Sequence, residues 1–499
     1  MLEVHSKAGL RFESLKIADE GVYAGFIDHG LNRQILGVMF TRKGNTFEGE
    51  WKDDRFEGIG VQAAKTGKMY VGQHIAGLKH GIGRYQSDER QILGQFEKGA
   101  THGVAIMQLP SQLKKISGYF VNGQLNGFGI VKSKMHDKNY SLRAFFENGH
   151  ANAIGIEKCT EKLYEGQFKN NNKTGVGQFS DPNYPLGAMR YLGYFESNNF
   201  TGFGIQKVGE EFNYEGGFKS GVKTGVGRLH SPANNCSYIG EFSDDFQQGF
   251  GKYTDEIGSY TGSWVNNTRN GLGGLKEQTR TYIGMWKDDM RHGVGNEYSK
   301  EFTYKGEWLR DVPHGRGLIE TPDGVTRCVS FSNGVLVNEV EGVEPVDFMK
   351  GIEMIDVEAF KKIAVQRIHS FELFISEEIE LVKKRFKALN LEKLQRAEAQ
   401  FEVDIKQIKE RFIDIMATMD KNREYFKSLV HKYGIDLERL SSMTSHVKLV
   451  RPNDWDPLNG EKYMQEAKIN VKIMTPPRSN TKIEYKQPSV DMSFYGNTM

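Results

Sequence analysis

Four histidines, His80, His102, His292 and His314, each stand directly before a G-x-G or G-x-A triplet. Imidazole is the commonest protein ligand for zinc, so a repeated histidine invites a metal reading. If each triplet closes one β-hairpin, equivalent nitrogens in successive hairpins lie roughly 10 Å apart. Two ligands of one zinc must each sit about 2 Å from it, so these histidines read as surface residues and no metal is expected. The cysteines Cys159, Cys236 and Cys328 form no C-x-x-C pair and lie in no nucleophile context. They point to free thiols in a reducing, cytosol-facing compartment. The glycine pairs invite a phosphate-binding reading, which fails because no G-x-x-x-x-G-K-[ST] occurs and the pairs close hairpins instead of opening helices. No catalytic residue and no cofactor follow. Lysines beside the loops, Lys52, Lys98, Lys169, Lys219 and Lys287, have the chemistry to meet phosphoinositide headgroups. Asp53, Asp54, Asp288 and Asp289 stand among them, so they read first as solvated loop charges, with lipid contact left open. Lys plus Arg is 66 against 64 for Asp plus Glu, and that balance argues against nucleic acid as a partner. Thr475, in "TPPRS", is a short match to a proline-directed phosphorylation site.

What positions these residues is a repeat. "YEGQFKNNNKTGVGQFSD" (164–181) and "YIGMWKDDMRHGVGNEYSK" (282–300) share one spacing: Y-x-G-x-aromatic, six variable residues, then G-x-G. Thirteen units start at Tyr23, Phe47, Tyr70, Ile92, Ile116, Leu142, Tyr164, Tyr191, Tyr214, Tyr238, Tyr260, Tyr282 and Tyr304, with a mean period of about 23 residues. Glycine stands two residues after the start in twelve units, and an aromatic stands four after in eleven, the exceptions being Ile27 and His74. Positions zero, two and four share one face of a strand, because strand side chains alternate. This face holds Tyr164, Gly166 and Phe168; Tyr214, Gly216 and Phe218; Tyr282, Gly284 and Trp286; Tyr304, Gly306 and Trp308. The intervening side chains, such as Glu165, Gln167 and Lys169, are polar and are expected to face the other way. Asn-, Asp- and Gly-rich stretches such as "NNNKT" and "DDMRH" then turn the chain into a hairpin. A glycine-rich strand is weak alone, so rings are expected to lie over the bare backbone, and hairpins must stack side by side.

The spacing, the aromatics and the paired glycines resemble the MORN repeat family (membrane occupation and recognition nexus). The resemblance covers residues 21 to about 334, with "VSFSNG" (329–334) as a closing half-unit. It implies a mainly β fold: an elongated single-layer antiparallel sheet of stacked hairpins. The units at Ile92, Ile116 and Leu142 are degenerate, with Ala105 and Ala153 replacing glycines, and are read as a bend or a partner contact.

The chain divides into a lead-in (1–20), the array (21–340), a helical region (345–440) and an extended or disordered tail (441–499). No Gly or Pro occurs from Ile352 to Tyr433. Phe401, Ile405, Ile408, Phe412, Ile415, Met419 and Phe426 fall on one heptad seam, as in a coiled coil. The phase breaks near Asn390, leaving a stutter, a kink or a helical hairpin open. The seam is expected to pair with itself or, by preference, with another protein. Trp455 is the natural anchor if the tail docks.

Enzymes that carry such arrays add a sizeable catalytic domain, and only helix and tail follow the repeats here. A long array joined to a coiled coil resembles the MORN proteins of cilia and flagella, including radial spokes. The expectation is therefore a non-enzymatic scaffold of a ciliary or flagellar axoneme, in the cytoplasm and cytoskeleton, whose partners are other structural proteins. The alternatives are a membrane–cytoskeleton tether that binds anionic phospholipid and an adaptor for a signalling enzyme.

Overall fold

The computed structural model describes residues 9–135 and 138–443. Twenty-nine strands, β1 (Arg11–Ile17) to β29 (Val335–Val340), form one open sheet. Each strand runs antiparallel to its sequence neighbours, from the β1–β2 pair to the β28–β29 pair, where β2 is Gly21–Ile27 and β28 is Thr326–Ser332. The fold is thus fourteen hairpins preceded by one extra strand. That strand lies inside the segment expected to be a simple lead-in. The expected closing half-unit is a complete hairpin, since β29 follows β28.

The turns explain the Asn and Asp content. Asn170 and Asn171 have φ of 49° and 67°, and Asp288 and Asp289 have 49° and 66°. Two successive left-handed residues make the tight turn whose twist suits a hairpin, and Asn and Asp tolerate it best among residues with a Cβ.

Register places glycine opposite glycine across every join in the second half of the array. Gly166 faces Gly177, Gly177 faces Gly193, and the row continues unbroken to Gly306 and Gly317 before ending at Val329. Towards the N-terminus the same row holds Ala144 and Ala105. There Leu125 and the alanine methyl groups fill the space that a tyrosine ring covers elsewhere. The degenerate units therefore keep the sheet geometry with a different filling.

Four helices follow: α1 (Pro345–Phe348), α2 (Val357–Ala388), α3 (Glu392–Lys432) and α4 (Leu437–Ser442). The Asp356 side chain accepts from the Ala359 N–H and caps α2. Between α2 and α3 the chain breaks at Leu389–Leu391, where Asn390 takes φ 51°. The break is a kink and not a helical hairpin, because both helices keep one course across the sheet. Phe360 lies against Gly274, Phe371 against Phe250, Phe401 against Phe128, and Phe426 against Phe12. The helical region thus retraces the ribbon from its C-terminal strands to its first. The last described helix ends at Ser442, two residues past the expected end of the helical region at 440. Trp455, the rest of the tail and Thr475 lie outside the described residues.

Candidate functional site

Among the described residues the ribbon presents two faces of different chemistry. On the first face the unit from Tyr164 shows the chemistry of the repeat. The Tyr164 hydroxyl donates to the Gln167 carbonyl at 2.8 Å, which folds the ring back over Gly166 and the facing Gly177. A Cβ at either glycine would overlap the ring. The first glycine of the triplet has a different task. Gly175 sits at a bulge with φ 58°, and the side chain of Gln167 lies over it to accept from the Val176 N–H at 2.9 Å. The same clamp joins Glu50 to Ile59, Gln73 to Ile82, Gln95 to Val104, Glu241 to Phe250 and Glu307 to Arg316. G-x-G therefore encodes one left-handed bulge and one ring cover.

The rings then interlock. Tyr164 meets Phe168 of its own unit and Phe195 of the next edge-on, with centroids 5.2 and 4.9 Å apart. Tyr214 meets Phe218 and Phe242, Tyr282 meets Trp286 and Trp308, and Tyr304 meets Trp308 and Phe331 in the same way. The Trp286 and Trp308 indoles donate to the Gly273 and Gly295 carbonyls at 3.1 Å. Burial drives the tyrosine hydroxyls upward in pKa, so they stay protonated donors. The rings named on this face, apart from the half-buried Phe331, are buried without any second layer over them. Their contact surface is taken up by one another and by the glycine backbone.

A further residue, nine positions into several units, had no place in the sequence expectation. Arg269 lies 4.3 Å over the Trp286 ring and bonds Asp289 of the next turn at 2.9 Å. Arg291 repeats this with Trp308 and Asp311, and Lys223 bridges the Tyr214 ring and Asp245. Asp54 is likewise held by Arg33 at 2.6 Å. Asp54 and Asp289 are therefore staples between neighbouring hairpins and not merely solvated loop charges. Lys52, Lys98, Lys169, Lys219 and Lys287 are exposed as expected.

The second face corrects an expectation. Its side chains are not simply polar, and α2 and α3 lie on them. The middle residue of the triplet is apolar in nearly every unit: Ile59, Ile82, Val104, Phe128, Val176, Phe203, Val226 and Phe250 all obey this. Ile375, Ile379 and Val382 pack with Phe203, while Met419 packs with Val61 and Val71. Phe426 and Leu429 join Phe12, Leu36 and Val38. Phe401, Ile405, Ile408, Phe412, Ile415 and Met419 are all buried. The seam thus meets a sheet of its own chain in place of another helix. The physical match lies in the spacing: a heptad rises about 10.5 Å, and a hairpin advances about 9.6 Å. Polar ties fix the register. Arg423 grips Glu48 at 2.5 and 2.8 Å, Arg143 meets Glu398 at 3.1 Å, and Arg367 meets Glu241 at 2.8 Å. Tyr119 donates to Asp404 at 2.5 Å; burial, then that carboxylate, push its hydroxyl up to about 12. The signal for this packing was present in the triplet's middle position, but alternation of polar neighbours such as Glu165 and Lys169 hid it.

Among the described residues no group of three His, Cys, Asp or Glu side chains could hold a metal, and the three cysteines are free. His314 accepts from the Asn333 N–H, and His102 lies 3.6 Å from Glu97, so these two serve local contacts. No described helix is long and apolar enough to cross a membrane.

Nine segments match the MORN repeat: 47–69, 70–88, 117–137, 164–184, 214–236, 238–259, 260–275, 282–300 and 304–326. The chain is a MORN-repeat protein. The units at Tyr23, Ile92, Leu142 and Tyr191 fall outside those nine MORN segments, yet they fold as the same hairpins. MORN repeats are a non-catalytic repeat family. The chain is also similar to Alsin of mouse, chimpanzee and human, 26% identical over 169 residues in each case. That similarity takes in 33% of this chain and 9% of each Alsin, so the chain spans about a tenth of the length of these relatives.

Proposed function

We propose that this MORN chain is a non-enzymatic structural scaffold of a ciliary or flagellar axoneme, in a radial spoke or another microtubule-associated complex. In this reading the ribbon is a rigid spacer and docking surface for other structural proteins of the cytoplasm and cytoskeleton. The observation that supports it is the glycine row running from strand to strand, with the cis helices strapped across the opposite face. Such a member keeps a fixed length and direction, and its polar loops stand in register along both rims. The long array with a long helix is what resembles the ciliary MORN proteins.

The second reading is a tether to anionic phospholipid, and the exposed Lys52, Lys169, Lys219 and Lys287 are the observation in its favour. They share the strand-end position five residues into each unit. At that same position other units carry Glu97, Glu147 and Glu196, so the rim alternates in sign and holds phosphoinositide weakly. An adaptor for a signalling enzyme would use the same rims. Fractionation separates the readings: the axonemal scaffold stays with detergent-extracted axonemes and ignores phosphoinositide vesicles at physiological salt. Recovery with the detergent-soluble fraction, together with vesicle pelleting, would reverse the order of the two.

A further inference from the structure

Both ends of the ribbon carry a short helix on the strand next to the edge, α4 on β2 and α1 on β28, but the edge strands themselves differ. The first edge strand, β1, reads "RFESLKI", with Arg11, Glu13 and Lys16 along it. Its Phe12 is buried against Phe426, and α4 packs on the adjoining β2. Charges and a covering element are the usual protection of a sheet edge. The last strand, β29, reads "VLVNEV", is exposed at every residue but Val340, and pairs only with β28 among the described residues. Val335, Leu336 and Val337 are 67%, 49% and 66% exposed, and Val343 and Val346 add 41% and 84% close by in sequence. No other described stretch exposes so much aliphatic side chain in so few residues.

The array cannot simply continue past this point. The glycine row ends at Val329, which faces Gly317, and no G-x-G follows. A further hairpin of the same kind would find no bare backbone for its tyrosine ring. The edge nevertheless offers a row of backbone donors and acceptors on a β-branched strand, which favours addition of another strand.

We propose that β29 pairs antiparallel with β29 of a second copy of this chain across a two-fold axis, joining two ribbons end to end. The charge on the strand suits self-pairing. Its single charged side chain, Glu339, already lies 3.8 Å from Arg327 of β28. A two-fold through Val337 keeps the two Glu339 side chains about 13 Å apart along the strands. The formal net charge of +2 adds little long-range repulsion between copies. The described part of the chain ends at Met443, just after α4 on β2, at the far end of the ribbon. A contact of one strand with its aliphatic neighbours is small, so the dimer forms in the micromolar range.

The test is sedimentation equilibrium of the full chain up to about 100 µM, alongside the double variant Val335→Lys/Val337→Lys and the control Val365→Lys. Val365 is 71% exposed on α2, away from this edge. The expected result is a mass approaching twice 56.6 kDa for the wild type and the control. The double variant should show a dissociation constant raised at least ten-fold with an unchanged melting curve. A wild-type monomer throughout the range overturns the proposal. So does a dimer that tolerates both lysines, or a mass that climbs past two copies, which would mean an open, head-to-tail contact.

Discussion

At the scale of single residues, the repeat is a set of mutual constraints around each tyrosine. The ring position was legible because Tyr, Gly and an aromatic recur at even spacing, and alternation allows one reading of their faces. The bulge at Gly175 and the staple at Arg269 were not legible, since each depends on a cross-strand neighbour that spacing alone does not reveal. A Cβ at Gly216 would lie 2.5 Å from the Tyr214 hydroxyl and 2.6 Å from the Gly227 backbone, whereas Lys219 is exposed. Gly216→Val should therefore lose 1–3 kcal/mol or more, as overpacked cores do. Lys219→Val should stay within about 0.5 kcal/mol, and comparable denaturant midpoints for the two would sink the ring-cover account. His74 stands where other units carry an aromatic, between Phe56 and Tyr70 with centroids 4.4 and 5.0 Å away. Neither ring nitrogen makes a hydrogen bond of good geometry, and burial, outweighing the nearby Gly72 carbonyl, lowers its pKa from 6.5 to about 4. The unfolded chain thus takes up the proton first. Stability from the neutral imidazole is whole above pH 6.5 and falls as pH drops towards 4, by on the order of 3 kcal/mol. His74→Phe should remove that part of the pH dependence. Parallel stability profiles for wild type and variant between pH 7 and 4.5 would show that His74 is not the responsible group.

At the scale of elements, the instructive case is the helical region. The seam through Phe401, Ile408, Phe412 and Met419 is apolar and regular in the sequence, but regularity alone does not name the partner. A sheet of hairpins and a second helix offer nearly the same repeat distance, so a heptad fits either. What decides is the apolar middle of G-x-G, and one member shows it by exception. Arg316 is the polar member of that row, and it lies beyond the course of α2, donating to the Phe348 carbonyl at 2.8 Å instead. The expected consequence differs from that of a coiled coil. Phe412→Glu with Met419→Glu should leave the hairpins folded while α3 loses its hold on the sheet, because buried charge without a partner costs several kcal/mol. Amide exchange should speed up by orders of magnitude across 392–432 but stay slow across 164–320. Uniform protection of α3 in the variant would mean that the Arg423–Glu48 and Tyr119–Asp404 ties suffice without the seam.

At the scale of the whole described unit, helix and sheet act as two rulers laid side by side. From Ile368 to Phe426 the chain runs 58 residues, or about 87 Å of helix. Their partners, from Phe250 back to Leu36, lie nine repeats apart, or about 86 Å of sheet. Agreement so close leaves little room for strong curvature along this stretch, because an arc and its chord would differ. The helices therefore brace the ribbon against bending about the axis where a single-layer sheet is weakest, along its strands. A chain ending at Met443 should then scatter X-rays as a rod, with length on the order of 140 Å for 29 strands and radius of gyration near 40 Å. A globular domain of that length would give about 22 Å. With Phe412 and Met419 both changed to Glu, the brace is loosened, and the same chain should scatter with a broader spread of lengths and a shorter mean. If the loosened chain keeps the rod profile unchanged, stiffness resides in the glycine–aromatic face alone and the helices serve only to cover the other side.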